Sequence, residues 1–391
     1  MINIAILLNI PKEYKGGINY YKNLLLAIST VNENKLFVNI FTSKDMDQEY
    51  LDEFSKYAKV IKTNVLTRKT FTWFIDRMFF RLFKISLGKD LLLIKNNIDI
   101  VSHSYHIPKL SKAKSINWIP DFQYVYYPNL WTKKQLDDTV KLHDYLVDKS
   151  NVIMLSSNDA KSTYLNEYTK YKDKVKVIHF VSQPETAFEL LEKNLSEHVV
   201  DEYTQGKPFF YLPNQFWSHK NHIVVFKAAK ILKDKGYDFK LITSGLMHDF
   251  RSGDQHINML KKFVEEYNLS DVIIFLGLIP YNQVLNLILY SKSLINPSFF
   301  EGWSSTVEEA KTLGSMVILS NIGVHIEQCP ANSLYFDPLN ENELAKHMED
   351  VLNNNIFIKQ FTLDELKSIL NLRMSEFGRK YLSLVTQIHN N

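Results

Sequence analysis

Short apolar runs alternate with longer segments whose apolar positions recur at helical spacing almost throughout the chain. A short apolar run suits a strand buried on both faces, and the amphipathic segment after it suits a crossover helix. The alternation is therefore that of βα units around parallel sheets. In the first half it predicts strands at 2–8, 36–41, 99–103, 115–118, 152–155 and 175–178. In the second half it predicts strands at 209–212, 239–243, 272–276, 293–296, 316–319 and 333–336. Between the halves, 182–207 turns polar and charged and reads as a linker, while 362–389 is one long helical pattern. The fold class expected is α/β, with two doubly wound Rossmann-like domains.

Length agrees, since 391 residues exceed one ordinary core and suggest two domains. A hydrophobic share of 45% against 23% charged is that of a globular protein and leaves no room for a long low-complexity tract. A formal charge of +3 spread over the chain lacks the concentrated basic face that a nucleic-acid partner needs. Cys329 is the single cysteine, so no intrachain disulfide can form, which fits a reducing cytoplasm. Residues 1–10 lack a basic leader and read as a first strand, and no run approaches the ~20 apolar residues of a membrane span.

Candidate chemistry concentrates in Asn296-Pro-Ser-Phe-Phe-Glu-Gly-Trp-Ser-Ser-Thr-Val-Glu-Glu-Ala310, a loop that follows an expected strand and opens a helix near Ser304. Ligands of open α/β sheets bind at the carboxyl ends of strands. Small residues there (Gly302, Ser304, Ser305, Thr306, beside Trp303) offer backbone N–H groups and hydroxyls to an anion, and the helix dipole adds attraction. Glu301 and Glu309 flank this diphosphate cradle, where carboxylates are tolerable if they accept from sugar hydroxyls. A capped, Glu-rich surface helix would give the same string.

The seven residues between Glu301 and Glu309 resemble the E-x7-E signature of the retaining glycosyltransferases of family 4, and the likeness extends over nearly the whole chain. The resemblance implies the GT-B fold, two Rossmann-like domains facing a central cleft and closing over donor and acceptor. Residues 1–190 would form the acceptor domain and 207–365 the nucleotide-sugar domain, with a helix at 366–391 returning to the first. Glu301 would contact the transferred hexose and Glu309 the ribose. In Pro213-Asn-Gln-Phe-Trp-Ser-His-Lys-Asn-His222, Lys220 at a helix start would steady the leaving diphosphate. The family's Arg before this Lys is replaced by Asn214 and Gln215, so that contact would be a neutral hydrogen bond. Gly16 and Gly17, preceded by Lys12 to Lys15 and before a helix expected from Ile18, would lie over the donor phosphates and the acceptor. Leu278 and Ile279 would border the base through their backbone. The family's His-Asp pair is Pro120-Asp121 here, so only Asp121 carries over, with Phe122 and Tyr124 lining the acceptor cleft unless they are core.

His103, His106, His219 and His222 have no Cys or carboxylate at metal-ligand spacing, so no metal is expected. Arg68 to Lys95 mixes cations with aromatics in a helical pattern, the kind that lies on a bilayer or covers a core. The function implied is metal-independent, retaining hexose transfer from a GDP- or UDP-sugar, with no cofactor, to a surface glycan or lipid-linked oligosaccharide such as O-antigen or capsule. The place implied is the cytoplasm, peripheral on the inner membrane face. Rivals are a GT-B epimerase or phosphorylase, and an inactive relative that binds nucleotide sugar or glycan within an assembly complex.

Overall fold

The computed structural model describes residues 1–8, 15–183, 188, 197–249 and 253–391, and most of the expected linker lies outside them. The chain divides into two compact units. Unit 1 is Met1–Phe122, Lys133–Val181 and Asn371–Asn391, and unit 2 is Gln123–Thr132 and Ser182–Leu370.

Unit 1 carries β1 (Ile2–Leu8), β2 (Leu36–Thr42), β3 (Lys59–Lys62), β4 (Ile100–Ser102), β5 (Lys114–Trp118), β6 (Val152–Leu155) and β7 (Val175–Val177). They form one sheet in the order β3-β2-β1-β4-β5-β6-β7, with every pair parallel. The run Ile-Asn-Ile-Ala-Ile-Leu-Leu is apolar enough to sit at the centre, and Ile4 pairs with Val38 on one side and Ile100 on the other. β3 was not expected. Its Lys-Val-Ile-Lys has exposed lysines at both ends, as a short edge strand does to discourage further pairing, and so it reads as polar. The first helix begins at Lys15, which puts Gly16 and Gly17 in its first turn and not ahead of it; residues 12–14 lie outside the described residues.

The long helix Leu363–Asn390 enters unit 1 from Asn371. Gly378 lies on the first helix so closely that a Cβ would overlap the Ala27 carbonyl. Tyr381 is fully buried and donates to Ser102 Oγ at 2.8 Å, and Lys114 Nζ donates to the Ile388 carbonyl at 2.9 Å.

Unit 2 carries β8 (Phe209–Leu212), β9 (Lys240–Thr243), β10 (Ile273–Phe275), β11 (Ser293–Asn296), β12 (Val317–Ser320) and β13 (Ser333–Phe336). Their order is β10-β9-β8-β11-β12-β13, again all parallel. Alternate residues feed two cores. Phe210, Leu212, Leu241, Ile295 and Ile318 join one, while Phe209, Tyr211, Ile242, Leu294, Val317 and Leu319 join the other. A strand covered on both faces can be apolar at every position, which is why these strands read as continuous runs.

Candidate active site

In the second sheet the strand order reverses between β8 and β11, so the loops leaving their carboxyl ends diverge and open a crevice. Local bonds fix both loops. Asn214 Nδ2 donates to Asn296 Oδ1 at 3.2 Å and Phe299 N to the His219 carbonyl at 2.9 Å. Asn221, in the left-handed region at φ 53° that Asn tolerates, donates from Nδ2 to the carbonyls of Pro297 (3.1 Å) and Pro338 (2.8 Å). The result brings Lys220 Nζ within 2.6 Å of Glu301 Oε1, with side chains only 13% and 10% exposed. Ser298 Oγ donates to the same Glu301 oxygen at 2.7 Å. Burial pushes the Glu301 pKa up, but the charge of Lys220 and the bonds from Lys220 and Ser298 leave it below the usual value.

His325 is fully buried. Its Nδ1 lies 3.0 Å from the Ser320 carbonyl, which can only accept, so the proton sits on Nδ1 and Nε2 is a bare acceptor. Burial draws its pKa down to about 4, and Nε2 has no partner among the described residues.

The helix Ser305–Leu313 starts at the N-cap Ser304, whose side chain accepts from Val307 N, and stops at Gly314 with φ 67°. Ser304 is more committed than its sequence suggested. Its N–H donates to Gln328 Oε1 at 3.2 Å, and Gln328 Nε2 donates to the Ser304 carbonyl at 2.9 Å and to Glu308 Oε1 at 3.0 Å. Of the expected cradle, the first-turn amides of Ser305 and Thr306 remain for an anion, with Gly302 and Trp303 half-buried beside them. Thr306 Oγ1 lies 3.1 Å from Ser304 Oγ.

Glu309 is 3% exposed and accepts from Tyr281 OH at 2.8 Å and Ser182 Oγ at 3.4 Å. Burial raises its pKa to about 7 against the pull of those two bonds. Neither partner was singled out from sequence, although Tyr281 directly follows the Gly277–Pro280 loop. In that loop Leu278 is exposed and Ile279 half-buried. Gly245 N donates to the Gly277 carbonyl at 2.8 Å, and a Cβ on Gly245 (φ 140°) would stand 2.6 Å from the Asn214 carbonyl oxygen. Glycine is needed for that close approach. Gln215 spends its carbonyl oxygen on Leu246 N at 2.7 Å, and Asn214 is buried with Oδ1 unpartnered among the described residues.

The aromatic run after β5 departs from expectation. Phe122 is 1% exposed, edge-on to His143 at 5.6 Å and 6.4 Å from Tyr164, so it is a core ring of unit 1 with no free face for a sugar. Tyr124, at 7%, is also buried. Tyr126 is the exposed member, its ring 5.7 Å from Phe300, and Tyr127 OH donates to the Phe299 carbonyl at 3.3 Å, both within unit 2. Asp121 is half-buried near Tyr105, whose pKa rises through burial and then through the Asp121 charge. Gly17 is buried and lines a cavity of unit 1.

The histidines are held by side chains and backbone of their own unit. His103 Nε2 lies 2.7 Å from Tyr20 OH, and burial draws its pKa to about 3. His106 Nε2 lies 2.9 Å from Asp90 Oδ1, and His222 stacks on Phe216 at 4.4 Å. Segment 68–95 folds into helices Phe71–Phe83 and Leu87–Lys95. No helix among the described residues is long and apolar enough to cross a membrane.

Comparison with known proteins bears on this geometry. Residues 194–366 match the family described as glycosyl transferases group 1. The O-antigen chain mannosyltransferase RfbU of Salmonella typhimurium is 22% identical over 380 residues, 95% of this chain and 99% of that protein. A glycosyltransferase from Rickettsia africae superposes with a TM-score of 0.68 at 18% identity, over 100% of this chain and 99% of its own. Anabaena HepE in complex with UDP and glucose gives 0.69 at 13% identity, over 99% of this chain and 100% of its own. The match to the group 1 glycosyl transferases thus lies within the second unit, and the chain is a glycosyltransferase with the two parallel-sheet, Rossmann-like domains of the GT-B fold.

Proposed function

We propose that the protein moves a hexose from a nucleotide diphosphate sugar to a surface glycan or its lipid-linked precursor, with retention and without a metal, at the inner face of the cytoplasmic membrane. The observation that carries the reading is the meeting, at the reversal of the second sheet, of a half-buried Lys220–Glu301 pair and the amino end of helix Ser305–Leu313. Charge develops on the diphosphate as the sugar–oxygen bond breaks. Lys220 and the amides of Ser305 and Thr306 would stabilise it without reorganising. Glu301 would then accept from hexose hydroxyls in place of Lys220, and Glu309 from the ribose in place of Tyr281. Asp121 would face the acceptor, and no side-chain nucleophile or cofactor is invoked. Leu278 and Ile279 would frame the base.

The likeness to a mannosyltransferase favours GDP-mannose and an O-antigen type of product, and a further HepE structure, in complex with UDP-glucose, makes UDP-glucose the comparison donor. The test is transfer of labelled mannose or glucose from each to lipid-linked oligosaccharide, with the product anomer read by NMR and EDTA present in a parallel sample. An α-product from GDP-mannose in both samples is expected. A β-product overturns retention, loss in EDTA overturns metal independence, and transfer from neither overturns the donor assignment.

A further inference from the structure

The amides of Ser305 and Thr306 stand at the start of helix Ser305–Leu313, and the side chain that holds that start comes from a third segment of unit 2, 24 positions along the chain from Ser304. Gln328 closes the short helix Gly323–Gln328 after β12 and is 1% exposed. Its Oε1 accepts from Ser304 N at 3.2 Å, while Nε2 donates to the Ser304 carbonyl at 2.9 Å and to Glu308 Oε1 at 3.0 Å. These partners fix which end of the carboxamide is which, since a backbone N–H only donates and a carbonyl oxygen only accepts, and both Nε2 hydrogens are used. Gln328 is itself tied down. Its carbonyl accepts from Lys311 Nζ, and one turn earlier His325 Nδ1 donates to the Ser320 carbonyl at 3.0 Å while the His325 carbonyl accepts from Tyr335 OH at 3.4 Å.

The clamp sets the peptide planes on both sides of Ser304. In a trans peptide the C=O and N–H point in opposite directions. A Ser304 carbonyl held by Gln328 Nε2 and by Glu308 N (3.1 Å) therefore turns the Ser305 N–H the other way, out of the helix start. The Ser304 N–H, held by Oε1, fixes the preceding plane, and Ser304 Oγ accepts from Val307 N at 3.4 Å. The amides of Ser304 and Val307 are thus consumed, and those of Ser305 and Thr306 are left at the positive end of the helix. A carboxamide is the side chain that suits this place. A carboxylate of the same shape has no hydrogen for the Ser304 carbonyl and would face Glu308, and an apolar side chain would leave the Ser304 N–H buried and unpaired.

We propose that Gln328 is a positioning residue for diphosphate recognition: by clamping both backbone groups of Ser304 it aims the Ser305 amide at the diphosphate of the donor. This role rests on the donor reading above. Gln328 acts through the backbone of the cradle, so its loss should weaken the hold on the diphosphate and leave the contacts of base and ribose, which that reading gives to Leu278, Ile279 and Glu309, as they are.

The experiment measures binding of GDP, UDP, guanosine and uridine to the full chain by calorimetry, for wild type, Gln328→Met and Gln328→Glu, with melting temperatures alongside. Methionine keeps the length and removes every bond of the clamp. Glutamate keeps the shape and the acceptor for Ser304 N but loses the donor, so the clamp is opened in two ways that strain the fold differently. In wild type the preferred diphosphate should bind more tightly than its nucleoside. Both variants should bind that diphosphate about tenfold more weakly and the nucleoside unchanged, a loss equal to one hydrogen bond from an amide to a charged oxygen. A folded variant with wild-type affinity for the diphosphate overturns the role of Gln328. Equal weakening of diphosphate and nucleoside also overturns it, because a general loosening of the site would do the same. Wild type that binds the nucleosides as tightly as the diphosphates, or binds none of the four, overturns the donor reading itself, an outcome seen before any variant is compared.

Discussion

Replacing Glu309 by Gln should change how stability depends on pH. The Glu309 carboxyl is buried with two hydroxyl donors and no cation, and its pKa rises from 4.5 to about 7. Between those values the folded state keeps a proton that the unfolded state has released, so the folded state binds more protons and stability falls as pH rises through the window. At ~1.4 kcal/mol per pH unit the full loss, reached above pH 7, is about 3 kcal/mol. Glutamine can still accept from Tyr281 and carries no charge. Wild type and Glu309→Gln should therefore melt alike at pH 5, and the variant should be the more stable at pH 8. The assay is thermal unfolding of both proteins without nucleotide across pH 5 to 8.5, read as a difference. Buried neutral histidines such as His103 and His222, both held to about 3, give wild type a pH dependence of the opposite sign, and the subtraction removes it. Parallel curves for the two proteins over the whole range would refute the reasoning.

Lys220→Met leaves the half-buried Glu301 without its cation and removes the charge offered to the leaving group. Transfer should slow about 10²- to 10³-fold, measured as turnover at saturating donor, and an unchanged rate would remove Lys220 from the mechanism. Gly245→Ala forces a Cβ toward the Asn214 carbonyl at a residue held at φ 140°, and the shifted β8 loop should cost about 10²-fold in transfer together with a lowered melting temperature. Gly378→Ala drives a Cβ into the Ala27 carbonyl and should destabilise unit 1 by about 1–3 kcal/mol, seen as a lowered melting temperature; wild-type melting would contradict the packing described.

Most strands were legible because burial on both faces leaves an uninterrupted apolar run, as in Phe-Phe-Tyr-Leu of β8. β3 escaped because an edge strand is covered on less of its surface and can carry lysines. The donor-site residues could be picked by type from two loops, but nothing local joins Lys220 to Glu301, which stand 81 positions apart; the strand order that sets β8 beside β11 does so. Tyr281 shows the same limit, since its neighbourhood announces only a helix start after Pro280, while its bond to Glu309 depends on packing. Phe122 fails in the opposite sense. An aromatic beside a candidate acid reads equally as a sugar platform or as core, and only burial, absent from sequence, separates the two.

The return of residues 371–391 to the first unit has a consequence for how the chain is made. Until those residues leave the ribosome, the Tyr381 hydroxyl that bonds Ser102 is missing and the groove over Ala27 is empty. A nascent chain can close the unit-2 sheet once β13 is made, whereas the unit begun first is completed last. A chain cut short before Gly378 should emerge with its second unit formed and its first unit open to proteases and chaperones.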